Sequence, residues 1–294
     1  MFALKMIAIT ALSAFLISGG GGSGCQTKKI SAANIEKPTP EKPATGDLTV
    51  LAEGPNSAIN NSFVAVVRDA DTYDALTKLE ERLPKRDADF FKTNIVVAAF
   101  LGQRPTGGYG VEITHNPGGE LRLVESTPRG MVTQAITAPF KVVSFSVSGL
   151  PPVSLTVDKA FQERLQLYRV TTGKFKTIGG FAGRSEEFPL EGQLQLTREH
   201  DLITVAFALK GSGSSGERAL IDTATGVMKD GRLVIQKLSH GSLVGIPSGA
   251  LHATATFQET NGLLLELDTG PVEVPDGFSG KGTVTAVMVA ASAN

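Results

Sequence analysis

The side chains that could perform chemistry in this sequence are few and lie far apart. The chain has one cysteine, Cys25, so neither an internal disulfide nor a cysteine-based metal site is expected. Its four histidines lack the short spacing of metal-ligand pairs, and we interpret each as a surface or turn residue. They are His115, His200, His240 and His252. We therefore expect no metal ion to be bound by these side chains.

Three short motifs resemble reactive loops in composition only. Residues 211–216 lack the Gly-x-Ser-x-Gly spacing of a nucleophile elbow, and we expect a hairpin loop there. Residues 277–283 lack the glycine placement and the following helix of a phosphate-binding loop. Asp69, Asp71 and Asp74 lack the glycine and the distal glutamate of a calcium loop. The sequence predicts no catalytic residues and no cofactor.

Composition limits the class of protein. The 28 Lys and Arg residues nearly balance the 29 Asp and Glu residues, which argues against a strong field for nucleic acid. The 33 glycines, the absence of tryptophan and short Val, Leu, Thr and Phe runs favour short strands joined by turns. We expect a mainly β protein.

The N-terminus has the organisation of an export signal. Lys5 precedes an apolar run at 6–17, and small residues at 18–24 lead to Cys25. The segment Gly22-Ser23-Gly24-Cys25 resembles the lipobox of bacterial lipoproteins, although Gly22 stands where an aliphatic residue is usual. This resemblance implies cleavage after residue 24 and a lipid on Cys25. The alternatives are cleavage elsewhere, which leaves a free thiol, and an uncleaved anchor.

The residues after Cys25 predict where the protein is held. Gln26, rather than Asp, follows the cysteine, and in enteric-type sorting this implies the outer membrane, with a periplasmic or secreted protein as the alternative. Residues 26–47 are rich in Pro and Lys, and Pro38, Pro40 and Pro43 favour an extended spacer. We expect a folded body held off the membrane by this linker.

Residues 48–158 predict an α+β domain, with one helix and an antiparallel sheet. We expect a helix over 72–83, capped by Asp71 with Asp74 at the capping-box position and ended by Pro84. The apolar run at 95–101 is typical of a buried central strand. Strands are predicted at residues 49–51, 63–67, 95–101, 109–113, 121–124 and 140–147.

Several motifs of this domain resemble the C-terminal domain of the protease complex subunit PrcB. They are Asp89-Phe90, Asn94-Ile95-Val96-Val97, Leu101-Gly102, Pro105-Thr106-Gly107-Gly108-Tyr109 and Thr137-Ala138-Pro139-Phe140-Lys141-Val142-Val143. The namesake of the family is a non-catalytic lipoprotein partner of a surface protease. The resemblance implies a protein–protein interaction and no chemistry of the domain itself.

The most specific part of the resemblance is a loop that has two interpretations. Its residues are Arg104, Pro105, Thr106, Gly107, Gly108 and Tyr109. In the structural interpretation both glycines take positive φ and Tyr109 is the first core residue of a strand. In the functional interpretation an exposed loop receives a partner's backbone. A similar Pro-Thr-Thr-Gly-Tyr turn occurs in chagasin-type cysteine-protease inhibitors, which makes protease inhibition an alternative.

Residues 170–294 predict an all-β domain, a sandwich or an open barrel, joined to the first domain by a short helix at 158–168. The Asn261-Gly262 pair between alternating strands indicates a type I′ hairpin. Strands are predicted at residues 193–197, 202–209, 218–222, 233–237, 253–258, 263–267 and 283–289.

Two functions follow from these observations. The first is a non-catalytic envelope lipoprotein that binds a protein partner, with stabilisation of a secreted or surface protease as one such role. The second is a hydrolase with an unrecognised site, which would need a cleft with convergent polar groups.

Overall fold

Strands dominate the computed structural model, as the mainly β prediction requires, and that prediction is confirmed. The structure describes residues 48–115, 120–179, 185–214, 216–239, 250–269 and 279–289. All of them belong to one unit, residues 42–294. The first part of the chain contributes β1 (Thr49–Gly54), β2 (Phe63–Val67), β3 (Asn94–Phe100), β4 (Gly110–His115), β5 (Glu120–Ser126), β6 (Phe140–Ser146) and β7 (Ser154–Val157), with helix α1 (Ala70–Leu79).

The central sheet has the order β1-β6-β3-β2 and is antiparallel throughout. All five residues of β2 are buried, as are six of the seven in β3. Side chains alternate between the two faces of a strand, so an unbroken apolar run requires a covering layer on each face. The predicted buried strand at 95–101 is therefore confirmed as β3.

A different layer covers each face of the central sheet. The small sheet β4-β5-β7, in which β5 and β7 are parallel, packs on one face through Val111, Leu121 and Leu123. Helix α1 packs on the other face through Tyr73 and Leu76. This three-layer arrangement is the α+β part that the sequence predicts.

The helix differs from the sequence prediction at both ends. Its N-cap is Asp69, whose side chain accepts the Thr72 backbone N–H at 2.8 Å, and not Asp71. Asp71 points instead to the second part of the chain, where it accepts from Lys229 Nζ at 3.1 Å. The helix ends at Leu79 rather than at residue 83.

The second part of the chain is a closed antiparallel barrel. It contains β8 (Gln166–Ile178), β9 (Ser185–Pro189), β10 (Glu191–Glu199), β11 (Leu202–Gly213), β12 (Gly216–Lys229), β13 (Arg232–Ser239), β14 (Ala250–Gln258), β15 (Gly262–Asp268) and β16 (Ser279–Met288). Strands β9 and β10 both pair with β8, so they act as one strand of an eight-stranded barrel.

Pairing of β8 with both β16 and β10 closes the barrel, whereas the sequence allowed a sandwich or an open barrel. Leu263, Leu265 and Leu267 point inward, and Glu266 between them is exposed. Large side chains from every barrel strand fill the interior, as expected for a barrel of this strand number.

Two local predictions in the second part are corrected. The joining helix at 158–168 is only a 3-10 turn, Lys159–Phe161, because β8 begins at Gln166. Gln258 pairs with Gly262, so the hairpin at Asn261 has a three-residue loop and not a type I′ turn. Asn261 alone takes positive φ there.

Candidate interaction surface at the loop end

Three loops meet at one end of the central sheet. Residues 55–61 lie between β1 and β2, residues 102–109 lie between β3 and β4, and residues 127–138 lie between β5 and β6. We call these three segments the loop end. Backbone hydrogen bonds link them, because Gln103 N donates to Asn60 O at 3.0 Å and Ser57 N donates to Ala138 O at 2.8 Å. Loops bonded in this way form one surface on a rigid sheet.

The loop that the sequence singled out lies at the centre of this surface. Arg104 and Thr137 exchange two backbone hydrogen bonds, at 2.7 and 3.0 Å, and Arg104 Nε contacts Glu125 Oε1 at 2.6 Å. The Thr106 carbonyl accepts the Thr137 hydroxyl at 2.9 Å. Pro105 is exposed. The backbone is thus fixed while part of the loop faces solvent.

The two glycines of this loop serve different purposes, and only one has positive φ as predicted. Gly108 has a φ of 83°. A Cβ on Gly107 would meet the Thr133 hydroxyl, which would have to rotate away. Tyr109 is half-buried against the core, as the structural interpretation predicts. The loop is therefore a turn with a fixed backbone, and its exposed residues are accessible to a partner.

The structure adds two side chains that the sequence analysis missed. Met131 is 105% exposed and Ile136 is 70% exposed, both in the loop that packs beside residues 102–109. Their exposure makes this loop a candidate contact surface. The sequence did contain a signal for this exposure, because both residues lie in a run of Gly, Thr, Gln and Ala that lacks the alternation of a strand.

Charge is scarce across the loop end. Its three segments contain no Asp or Glu, and their only charged residues are Arg104 and Arg129. Arg104 is already paired with Glu125. The surface offers backbone groups, amides, hydroxyls and the two apolar side chains, a composition typical of surfaces that bind proteins through shape and hydrogen bonds.

A buried carboxylate is hydrogen-bonded to the first loop of the loop end. Glu80 is 2% exposed and accepts hydrogen bonds from Ser57 Oγ at 3.0 Å and from Arg82 Nε at 2.6 Å. Arg82 also donates to the Asn56 carbonyl, and its guanidinium lies 4.3 Å from the centre of the Phe140 ring. Burial opposes ionisation of Glu80, but these hydrogen bonds prevail and lower its pKa.

Other parts of the described chain are less suited to a site. Two shallow grooves of about 500 and 580 Å³ lie on the outer barrel wall, and charged side chains such as Lys176, Lys281 and Asp268 line the first. Among the described residues, no three His, Cys, Asp or Glu side chains could hold one metal ion. The same residues contain no helix long and apolar enough to cross a bilayer.

The described histidines lie far apart, in different parts of the structure. His115 lies 5.9 Å from the Phe145 ring, His200 occupies a turn with a φ of 52°, and His252 borders the first groove. Residues 211–214 and 216 form a hairpin, as expected. Cys25 and His240 lie outside the described residues.

Fold and surface together define a β protein in which a filled barrel is joined to a layered sheet that carries the loop end. Residues 95–146 match the family described as PrcB C-terminal, which confirms the predicted resemblance. The match spans β3 to β6 and includes two of the three loops. A PrcB C-terminal domain points to a protease-associated accessory role. The chain matches no protein among curated sequences.

Proposed function

We propose that this chain is a non-catalytic accessory protein that binds a protease through its loop end. The observation that carries the proposal is the exposure of Met131 and Ile136 on a loop that is hydrogen-bonded to the Arg104–Thr106 segment. The family match to residues 95–146 supports a protease as the class of partner. The filled barrel interior leaves the surface as the place of binding.

The geometry favours binding without a large conformational change. The hydrogen bonds that Thr133 and Thr137 make with residues 104–107 fix the loop backbone. Little conformational entropy is therefore lost when a partner binds. Met131 and Ile136 would each enter an apolar pocket on the partner, with the neighbouring amides and hydroxyls around them. Because the loop end carries little charge, we expect its affinity to depend weakly on salt.

Site-specific cross-linking tests this proposal. A photoreactive residue replaces Met131 in one variant and Val287, an exposed apolar residue of the barrel wall, in a matched control. Both are expressed in the source cells, and cross-linked species are identified by mass spectrometry. We expect a protease to be captured at position 131 and not at 287. The same products at both positions, or no protease at 131, would contradict the proposal.

A lipid on Cys25 and the 26–47 linker complete the proposed arrangement, with the protein held at the outer membrane. The export signal, the small residues before Cys25 and Gln26 after it support this part. Several acyl chains together give nearly permanent anchoring, at about 0.8 kcal/mol per buried CH₂. Accessory proteins held this way stay close to a partner at the same membrane.

Metabolic labelling with a palmitate analogue tests the anchor. The wild-type chain should be labelled and fractionate with outer membranes, whereas Cys25→Ser should lose both properties. Gly22→Leu is a useful companion, because an aliphatic residue at this position should increase processing. Equal labelling of wild type and Cys25→Ser would rule out the anchor.

Protease inhibition is a second candidate, supported by one observation. Three loops converge on one surface, and one contains the Thr-Gly-Gly-Tyr turn similar to that of chagasin-type inhibitors. An inhibitor would insert these loops into an active-site cleft. Papain-like and trypsin-like activities are measured with micromolar protein, with Met131→Ser and Ile136→Ser as controls. Unchanged activity at that concentration would exclude inhibition of both classes.

A further inference from the structure

The methionine side chains of this protein differ widely in their exposure to solvent. Three methionines lie within the part of the chain that the structure describes, Met131, Met228 and Met288. Met228 and Met288 are partly buried and pack against the barrel core. Met131 is fully exposed and has no packed neighbour. The whole thioether of Met131 is therefore open to solutes, whereas the barrel shields the other two.

The loop around Met131 leaves it uncovered. Gly130, directly before it, has a φ of 95°, and a Cβ at that position would have no heavy atom within 4 Å. The Thr133 carbonyl accepts the Gly107 N–H at 3.0 Å and so attaches the loop to its neighbour. Residues 133–136 are exposed as well. The exposure of Met131 thus follows from how this loop is held.

An exposed thioether reacts with hydroperoxides. The sulfur lone pair of Met131 attacks one oxygen of hydrogen peroxide, so that an S–O bond forms and the O–O bond breaks. The leaving hydroxide takes the proton of the transferred oxygen and becomes water. The sulfur loses two electrons, the peroxide is reduced, and the product is methionine sulfoxide. Because charge separates during the attack, the reaction is slower where the sulfur is shielded from water.

Oxidation changes what the Met131 side chain can bind. The thioether is apolar and adapts its shape to a pocket, whereas the sulfoxide is polar and carries a hydrogen-bond acceptor. In the proposed complex, Met131 enters an apolar pocket in which that oxygen would have no donor. In the free chain the side chain packs against nothing, so the sulfoxide leaves the fold intact. Oxidation would therefore weaken binding without lowering stability.

We propose that Met131 is the oxidation site of this protein, and that its conversion to the sulfoxide by a hydroperoxide releases the protease from the loop end. The second part rests on the proposed function, whereas the first part concerns the chain alone. Methionine sulfoxide reductases restore the thioether, so the release is reversible. By linkage, a partner that prefers the thioether also protects it from oxidation while bound.

The first experiment measures oxidation at each methionine of the full chain in detergent. Trypsin places Met131, Met228 and Met288 in separate peptides, residues 130–141, 219–229 and 282–294. The folded protein is treated with hydrogen peroxide, and mass spectrometry follows the added oxygen in each peptide over time. We expect Met131 to react at least about fivefold faster than the other two.

Unfolded protein is the control for this experiment. In concentrated guanidinium chloride the three rates should become similar, because the shielding of the barrel methionines is then lost. Either barrel methionine reacting as fast as Met131 in the folded chain would overturn the assignment of the oxidation site.

The second experiment measures release of the protease. The full chain carries a photoreactive residue at Gln134, an exposed position of the same loop. Hydrogen peroxide oxidises Met131, catalase removes the peroxide, and the protein is added to detergent-solubilised envelopes from source cells that lack this chain. We expect cross-linking of the protease to fall at least about tenfold relative to untreated protein. Methionine sulfoxide reductases should restore it, and thermal unfolding should be unchanged throughout.

Two variants make this result specific. Met131→Leu carries an apolar side chain of similar size without sulfur, so peroxide treatment should not change its cross-linking. Met228→Leu removes one barrel methionine and should keep the full response to peroxide.

Two results would overturn the release of the protease. They are cross-linking that persists when Met131 is completely oxidised, and an equal loss of cross-linking in peroxide-treated Met131→Leu. If the untreated protein cross-links no protease, the proposed function fails and the release fails with it. The rates of the three peptides still decide the oxidation site in that case.

Discussion

The central sheet and the barrel bury apolar side chains in different ways. In the sheet, strands such as β3 are apolar at consecutive positions because a layer covers each face. In the barrel, strands such as β15 alternate, because one face lines the filled interior and the other meets solvent. A closed barrel therefore buries its apolar side chains within its own interior. The sheet, in contrast, needs neighbouring elements at both faces and at one edge to bury its residues.

This difference separates the roles of the two regions. The barrel supplies a stable wall, and part of that wall serves as the neighbour of β2 through Thr204 and Thr225. The sheet carries the loop end, whose loops extend beyond the packed layers. Rigid support beneath exposed loops is a common arrangement for binding surfaces. Four experiments test this difference between the two regions.

The largest expected effect comes from the ion pair that joins the two regions. Arg68→Ala leaves the buried Asp222 carboxylate without its cation and should destabilise the protein by about 3–5 kcal/mol. Urea unfolding followed by circular dichroism measures the loss. Arg68→Met combined with Asp222→Asn removes both charges and keeps an amide oxygen for the Val153 N–H, so it should recover part of the stability. If the double variant is no more stable than Arg68→Ala, the unpaired charge is not the cause.

Matched leucine truncations ask whether the two regions unfold together. Leu76→Ala in the helix layer and Leu265→Ala in the barrel core each remove a buried side chain and should cost about 2–5 kcal/mol. Because the regions share a buried junction, each change should shift one common unfolding transition in calorimetry. Two separate transitions, each moved by only one variant, would show that the regions are independent.

Glu80→Gln tests the support of the loop end through its pH dependence. The lowered pKa of Glu80 means that ionisation favours the folded state at neutral pH, and that this contribution is lost as pH falls through the carboxyl range. We expect a deficit of about 1–2 kcal/mol at pH 7. In urea titrations across pH, the deficit should shrink below about pH 4. A deficit that does not change with pH would assign the effect to packing.

The smallest effect on stability is expected at the proposed binding surface itself. Met131→Ser and Ile136→Ser replace exposed side chains, so each should change the free energy of unfolding by less than about 0.5 kcal/mol. When the photoreactive residue is placed at Gln134 in each of these variants, the protease should no longer be cross-linked. A large loss of stability would instead make these residues part of the packing.

Much of the fold could be predicted from local patterns. The apolar run of β3, the alternation in β15 and the turn residues around them located most strands, but β7, β8 and β9 were missed and β12 extends well beyond its predicted end at residue 222. The family resemblance located the domain and its loop. The start of the helix was missed because Asp69 and Asp71 are both good caps, and the contact of Asp71 with Lys229 is not local.

The proposed binding surface was only half predictable. Residues 102–109 carry a recognisable motif, whereas Met131 and Ile136 have types that are usually buried. Their exposure follows from the packing of residues 127–138 against Arg104 and Gly107, which no local pattern expresses.

The sequence by itself determined the strand-rich class, the buried central strand, the family of residues 95–146 and the features of an export signal. Only the tertiary structure decided that the barrel closes, that it covers β2, and that three loops meet at one end. These depend on partners far apart in the chain, such as Arg68 with Asp222 and Tyr168 with Leu194. Local preference sets which strands form, but burial and hydrogen-bond satisfaction across the whole chain select how they assemble.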